Sequence, residues 1–178
     1  FYSIFYSENS EYIGGENNTL NYLKSKVSGR PLTDLGIIIG THYVESGFSS
    51  REAYVYLLSK IVGLSGGSIK YYAHREEDSS NLDYYSRELG LQIERPDLPI
   101  EIEMIKSGFY PKFFVSVVSS ASITLKILFP KSESFIVELP VKARPYEVNY
   151  EGIISHVSSV FGAQNIIDYD TETFLSGS

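Results

Sequence analysis

A histidine, a pair of serines and a carboxylate stand where strands are expected to end and helices to begin. His74 lies in Lys70-Tyr71-Tyr72-Ala73-His74-Arg75-Glu76-Glu77, just after an apolar run. Ser119 and Ser120 close the run Val115-Ser116-Val117-Val118, and Glu101 follows Pro99-Ile100. In a parallel α/β sheet all three segments reach the same edge, where ligands bind. An imidazole there can donate a hydrogen bond to a phosphate, carries charge into that bond when protonated, and can assist a leaving group as a general acid. Serine hydroxyls at a helix start add donors to free backbone N–H groups and to the positive end of the helix dipole, which makes an anion site. A carboxylate in a first helical turn can accept from the two hydroxyls of a ribose.

Each residue also has a plainer explanation. Histidines often cap loops. Serine is among the commonest N-caps, and Ser49-Ser50, Ser79-Ser80 and Ser158-Ser159 repeat the pair. Glu101 suits a helix N-terminus on charge alone, and Glu103 competes with it for any ribose. Other chemistry finds less support. Asp168-Tyr169-Asp170 has the spacing of a metal–nucleotide motif but lies near the C-terminus. His42, His74 and His156 are too far apart in sequence for a recognisable metal spacing, so no metal site is expected. Neither a G-x-G-x-x-G nor a P-loop occurs, and Gly66-Gly67 reads as a plain turn.

The elements that must position these groups alternate. Phe1–Tyr6 reads as a strand and Ser7–Asn18 as a loop. Asp34–Gly40, with Ile37-Ile38-Ile39, reads as a strand buried on both faces. Ser49-x-x-Glu52 is a capping box, followed at helical spacing by Tyr54, Leu57, Leu58 and Ile61 with Gly63 as the stop. Strands are expected at Ser68–Ala73, Leu91–Glu94, Lys112–Val118, Ser134–Leu139 and Asn165–Asp168. Helices are expected over Asn81–Leu89, from Pro99 to about Ser107, from Ser119-Ser120 through Leu128, and over Asn149–Phe161; the C-terminal tail is expected to fray. This alternation predicts one Rossmann-like α/β domain over residues 1–178, with a mostly parallel sheet and helices on both faces.

Composition narrows the function classes. The 178 residues carry a net charge of −7 with 21% charged residues, against the basic face that nucleic acids and anionic membranes require. There is no apolar run of about 18 residues to cross a bilayer, nor an N-terminal secretion signal. Cysteine is absent, which removes disulfides, thiolate nucleophiles and cysteine zinc sites and is compatible with the cytoplasm. Hydrophobic content of 43% suffices for a core, and the aromatic residues read as part of it rather than as a stacking platform. The chain begins at Phe1, which reads as a segment cut from a longer protein.

These segments together resemble a family. Tyr72-Ala73-His74-Arg75-Glu76-Glu77 is similar to the "Y-x-P-H-R-x-E" form of the HP motif of bacterial sialyltransferases. Pro99-Ile100-Glu101, Gly108, Pro111 and Ser119-Ser120-Ala121 resemble their "P-x-E … G-x-x-P … S-S-A" block. Gly36–Glu45 looks like the preceding "G-Q-x-L-x-E" segment, and Phe1–Tyr6 like "F-T-I-F". The nearest groups are the lipopolysaccharide sialyltransferases of glycosyltransferase family 52 and the bacterial polysialyltransferases. The resemblance runs from about Phe1 to Phe161. Ala73 and Arg75 stand where many members have Pro, and Thr41-His42 replaces Gln-Pro.

The resemblance implies the C-terminal, donor-binding half of a GT-B enzyme that transfers sialic acid from CMP-sialic acid with inversion, without metal or other cofactor, to a bacterial lipopolysaccharide or capsule glycan. It assigns His74 to the phosphate of CMP as the catalytic residue, Ser119 and Ser120 to the same phosphate, Glu101 to the ribose, and Gly40 and Thr41 to the loop bordering the nucleotide. The acidic-acidic-Gly motif that supplies the catalytic base is absent, Glu11-Tyr12-Ile13-Gly14-Gly15 being unlike it, so this chain alone is expected to be inactive and the acceptor to bind an N-terminal domain outside it. The implied setting is cytoplasmic, with peripheral association at the inner membrane and homo-oligomerisation left open. Two alternatives stand beside it: a non-catalytic Rossmann-like binding or interaction module, and a GT-B transferase domain using another sugar nucleotide.

Overall fold

The computed structural model describes residues 2–3, 16–17, 20–117, 119–138, 155 and 166–168. In chain order the elements are β1 (Tyr2–Ser3), β2 (Glu16–Asn17), α1 (Asn21–Val27), β3 (Gly36–Ile39), α2 (Arg51–Ser65), β4 (Ile69–Tyr72), α3 (Ser79–Leu89), β5 (Gln92–Glu94), α4 (Ile100–Lys106), β6 (Phe113–Val117), α5 (Ser120–Leu128), β7 (Glu133–Glu138) and β8 (Ile166–Asp168). The short β1 and β2 pair with each other. The other six form one all-parallel sheet in the order β5-β4-β3-β6-β7-β8. Counted from β3, this is the 3-2-1-4-5-6 order of the Rossmann fold, with the winding reversing between β3 and β6.

Period-two alternation sends successive side chains of each strand to opposite faces. Ile38, Tyr71, Val115 and Val117 pack with Tyr54, Leu57 and Leu58 of α2 and Leu82 and Tyr85 of α3. Ile37, Tyr72 and Phe114 pack on the other side with Val27 of α1, Met104 of α4 and Leu125 and Leu128 of α5. Burial on both faces is why Ile37-Ile38-Ile39 and Phe113-Phe114-Val115 are continuous apolar runs rather than alternating ones. Gly36 lets β3 lie close to its neighbour, since a Cβ there would run into the Phe113 ring.

Several boundaries differ from the sequence expectation. The N-cap of α2 is Ser50, not Ser49: its hydroxyl accepts from the Ala53 N–H at 3.2 Å. The helix runs through Gly63, which faces open space and needs no special backbone, and ends at Gly66 in the left-handed conformation (φ 58°). Gly66-Gly67 therefore begins with a helix cap rather than a free turn. α1 was not anticipated; it has no side-chain cap and buries only Val27, so it leaves little trace in the sequence. Glu16–Asn17 forms a strand inside the segment expected as a loop. The rest of the expected strand over Phe1–Tyr6, the expected helix over Asn149–Phe161 apart from Ser155, which is helical, and the C-terminal tail lie outside the described residues. Among the described residues, no helix is long and apolar enough to cross a membrane.

Candidate functional site

After β3 the chain crosses to α2 on one face of the sheet, and after β6 it crosses to α5 on the other. The two connections part at the sheet edge and leave a crevice at the point where the winding reverses. An open cleft of about 710 Å³ occupies it. Its walls come from four strand ends: Gly40 and Thr41 after β3, His74 after β4, Glu101 at the start of α4 beyond β5, and Ser119 and Ser120 after β6. The structure thus brings all six sequence-selected residues to one cavity. Glu103, two residues beyond Glu101 in the same first turn, is not part of its wall.

The right-hand wall is the start of α5. Ser119 is its N-cap, in extended backbone (φ −150°, ψ 156°), and its Oγ accepts from the Ser122 N–H at 3.3 Å. That bond uses the oxygen as acceptor and leaves the hydroxyl proton to donate. Ser120 is the first helical residue and is exposed, so its amide belongs to the unsatisfied first turn. Ser116, one turn of the pleat earlier, lines the same cleft; it is 4% exposed and its Oγ has no partner among the described residues. A buried hydroxyl beside a helix N-terminus is an idle donor for an anion in the cleft.

The opposite wall is the turn after β4. Nδ1 of His74 accepts the Glu76 N–H at 3.3 Å, which places the proton of the neutral ring on Nε2. Burial, followed by the neighbouring His42 imidazole, holds the His74 pKa below its ordinary value, with Glu76 pulling the other way. Near neutral pH the free ring is therefore a neutral N–H donor rather than a general acid. An anion bound beside it favours the charged form, so binding draws a proton onto the ring.

Beneath this turn lies a buried polar network. Glu77 is 7% exposed and accepts twice, from the Tyr71 hydroxyl at 2.5 Å and from the His74 N–H at 2.6 Å. Tyr71 shares a hydrogen bond of 3.0 Å with Tyr54 of α2. Burial pushes the Glu77 pKa up to about 7, against the hydrogen bonds from Tyr71 and His74, which lower it. Farther out, one oxygen of Glu45 accepts from the Asp78 N–H and from Asn81, and Asn81 in turn accepts from Arg51. These contacts lace the loop after β3 to the start of α3.

His42 and His74 are distant in sequence, yet their rings lie 4.8 Å apart. Sequence spacing alone missed this pairing, because parallel strand ends are neighbours in space only. With Glu76 they bring three metal-ligating atoms within 4.8 Å of one another. Zinc accepts these donor types, with ligand atoms about 3.4 Å apart around it. Here Nδ1 of His74 already takes the Glu76 N–H, and His42 Nδ1 lies 3.7 Å from Glu76 Oε2, an ion pair when His42 is protonated. The trio borders the cleft, which His42 and His74 both line. His156 lies outside the described residues.

Sequence reasoning missed His42, Ser116 and Glu77. Alternation along Phe113–Val117 puts Ser116 on a buried face without chemistry to mark it, and Glu77 enters the sequence reading only as the last residue of the histidine-bearing motif, with no role of its own. No protein-family model matches this chain, and no curated protein matches it. Among solved structures, the glucose dehydrogenase of Haloferax mediterranei, in complex with NADP, zinc and gluconolactone, is similar over 89% of this chain at 12% identity, with a TM-score of 0.39. This chain spans 43% of that structure's length. Likeness of that degree carries no argument about function.

Proposed function

We propose that the cleft binds CMP-sialic acid and that the chain is the donor half of an inverting, metal-independent GT-B sialyltransferase acting on a bacterial surface glycan. The observation that carries this reading is the convergence of Gly40, Thr41, His74, Glu101, Ser119 and Ser120 on one crevice at the reversal point of the sheet. Those are the positions that the resemblance to bacterial sialyltransferases assigns to the nucleotide.

In this reading the phosphate of CMP lies between the His74 ring and the start of α5. Nε2–H of His74, the hydroxyls of Ser116, Ser119 and Ser120, and the first amides of α5 supply donors from two sides. The bond from the anomeric carbon of sialic acid to the phosphate oxygen breaks, its electron pair goes to the phosphate, and the acceptor oxygen forms the new bond from the opposite face. Negative charge grows on the phosphate as the sugar becomes oxocarbenium-like, so fixed donors aimed there stabilise the transition state more than the ground state. Glu101 accepts from the ribose hydroxyls. The carboxylate that takes the acceptor proton comes from an acceptor domain outside this chain.

Thermal unfolding of the 178-residue chain with CMP, UMP, GMP, ADP and CMP-sialic acid, in buffer containing a chelator, tests the assignment. Stabilisation by CMP and CMP-sialic acid above the others supports it. A preference for UMP, GMP or ADP moves the domain to another sugar nucleotide. No shift with any nucleotide favours a binding module of another kind.

A further inference from the structure

Among the described residues, Glu77 is the one buried carboxylate, and the transfer chemistry above does not use it. It carries no salt bridge among the described residues, although burying a carboxylate without a cation is costly. Both its oxygens are spent on local contacts: one on the Tyr71 hydroxyl, the other on the backbone N–H of His74. The Glu77 N–H donates to the His74 carbonyl at 3.0 Å, so the turn is clamped from both sides. Gly40 closes the arrangement from β3, since a Cβ there would meet the Glu77 carboxylate and the Tyr71 ring. One carboxylate thus ties the ends of β3 and β4 to the segment that carries the His74 ring.

We propose that Glu77 is the positioning residue of the cleft: held by Tyr71, it fixes the backbone at His74 and so aims the imidazole at the anion wall. The ring's second anchor, the Glu76 N–H on Nδ1, lies in the same turn and depends on the same clamp. Tyr54 and Tyr71 can each act as donor in their shared bond, so the chain Tyr54–Tyr71–Glu77 has two proton arrangements. Ionised Glu77 accepts from both His74 and Tyr71. Protonated Glu77 keeps the His74 bond only if it donates to Tyr71, which then donates to Tyr54. The groups facing the carboxylate are Tyr54 from α2, Tyr71 from β4, Tyr85 from α3, Glu45 from the loop after β3, and Arg95 beyond β5. Burial and Glu45 raise the Glu77 pKa; the two hydrogen bonds, and then Arg95, lower it, and the balance lies at about 7. Protonation of Glu77 thus keeps the clamp on the His74 amide when the Tyr71 and Tyr54 protons reverse, and changes the charge beneath the ring.

The clamp is independent of the ligand's identity; only its consequence for nucleotide binding rests on the donor-domain reading. The test follows the ring nitrogen signals of His74 in the ¹⁵N-labelled 178-residue chain from about pH 5 to about pH 9, in wild type, Glu77→Gln and Tyr71→Phe. Both substitutions nearly preserve volume, and Tyr71→Phe serves if Glu77→Gln fails to fold. Besides its own titration, wild-type His74 is expected to show a second inflection at about 7. That inflection disappears in Glu77→Gln and moves to higher pH in Tyr71→Phe, which removes a hydrogen bond that lowers the Glu77 pKa. Calorimetry is expected to show CMP binding weakened about tenfold in Glu77→Gln, the worth of one hydrogen bond. A merely structural Glu77 lowers the melting temperature and leaves the ring signals unmoved, and that result overturns the proposal. So does equal CMP affinity in wild type and Glu77→Gln. If the ring behaves as expected and wild type binds no CMP, the clamp stands and the sialyltransferase reading falls.

Discussion

His74 is held at three atoms: its amide by Glu77, its carbonyl by the Glu77 N–H, and Nδ1 by the Glu76 N–H. Only Nε2 is left for a ligand. Since burial keeps the free ring neutral and a bound phosphate favours its charged form, CMP affinity is expected to rise as pH falls below neutrality; calorimetry across pH checks this, and a flat or opposite trend contradicts it. Glu77 makes the opposite kind of statement about stability. Its pKa rises from an ordinary 4.5 to about 7 on folding, so the folded protein binds the proton more tightly. That contribution is fully present below the unfolded value and is lost as pH rises through about 7; it amounts to about 3 kcal/mol. Melting temperature is expected to decline between these values, and Glu77→Gln to flatten the decline.

At the scale of elements, β3, the turn after β4 and α5 do most of the positioning. Gly36→Ala pushes a methyl group into the Phe113 ring and is expected to cost roughly 1–3 kcal/mol, measured by denaturant unfolding. Ser119→Ala removes the α5 cap and is expected to cost about 1 kcal/mol; if the serine also donates to phosphate, CMP affinity falls as well, a loss that a cap alone does not produce. The sequence made these elements readable where one signal dominated. Phe113–Val117 and Ile37-Ile38-Ile39 are apolar on both faces because helices cover both, and Ser119 announces α5 by type and position. It was silent where tertiary contacts decided the outcome: α1 fully buries one valine and packs Leu20 and Leu23 only in part, α2 tolerates Gly63 in mid-helix, and the choice between Ser49 and Ser50 as cap turns on geometry one residue wide. The six residues in the cleft were readable because parallel strands deliver their C-terminal ends to one edge. His42 beside His74 was not, since register across the sheet is invisible in the chain.

For the molecule as a whole, the strand order decides where chemistry can happen. Among the described residues the connections diverge between β3 and β6, so a ligand there touches loops from both halves of the sheet without displacing a helix. The fold and cleft do not choose a substrate; the proposed one rests on the types of residue delivered to the edge. In the proposed reading their donors serve the phosphate and the Glu101 carboxylate the sugar of a nucleotide, and a net charge of −7 gives no broad attraction for polyanions, so recognition must come from this local constellation. The most direct test is calorimetric titration of the 178-residue chain with CMP, alongside UMP and GMP, in chelator, repeated with His74→Ala and with Ser119→Ala/Ser120→Ala. The account predicts selective CMP binding by wild type, weakened in both variants. A folded wild-type chain that binds CMP no better than UMP or GMP, or variants that bind it as wild type does, would contradict it.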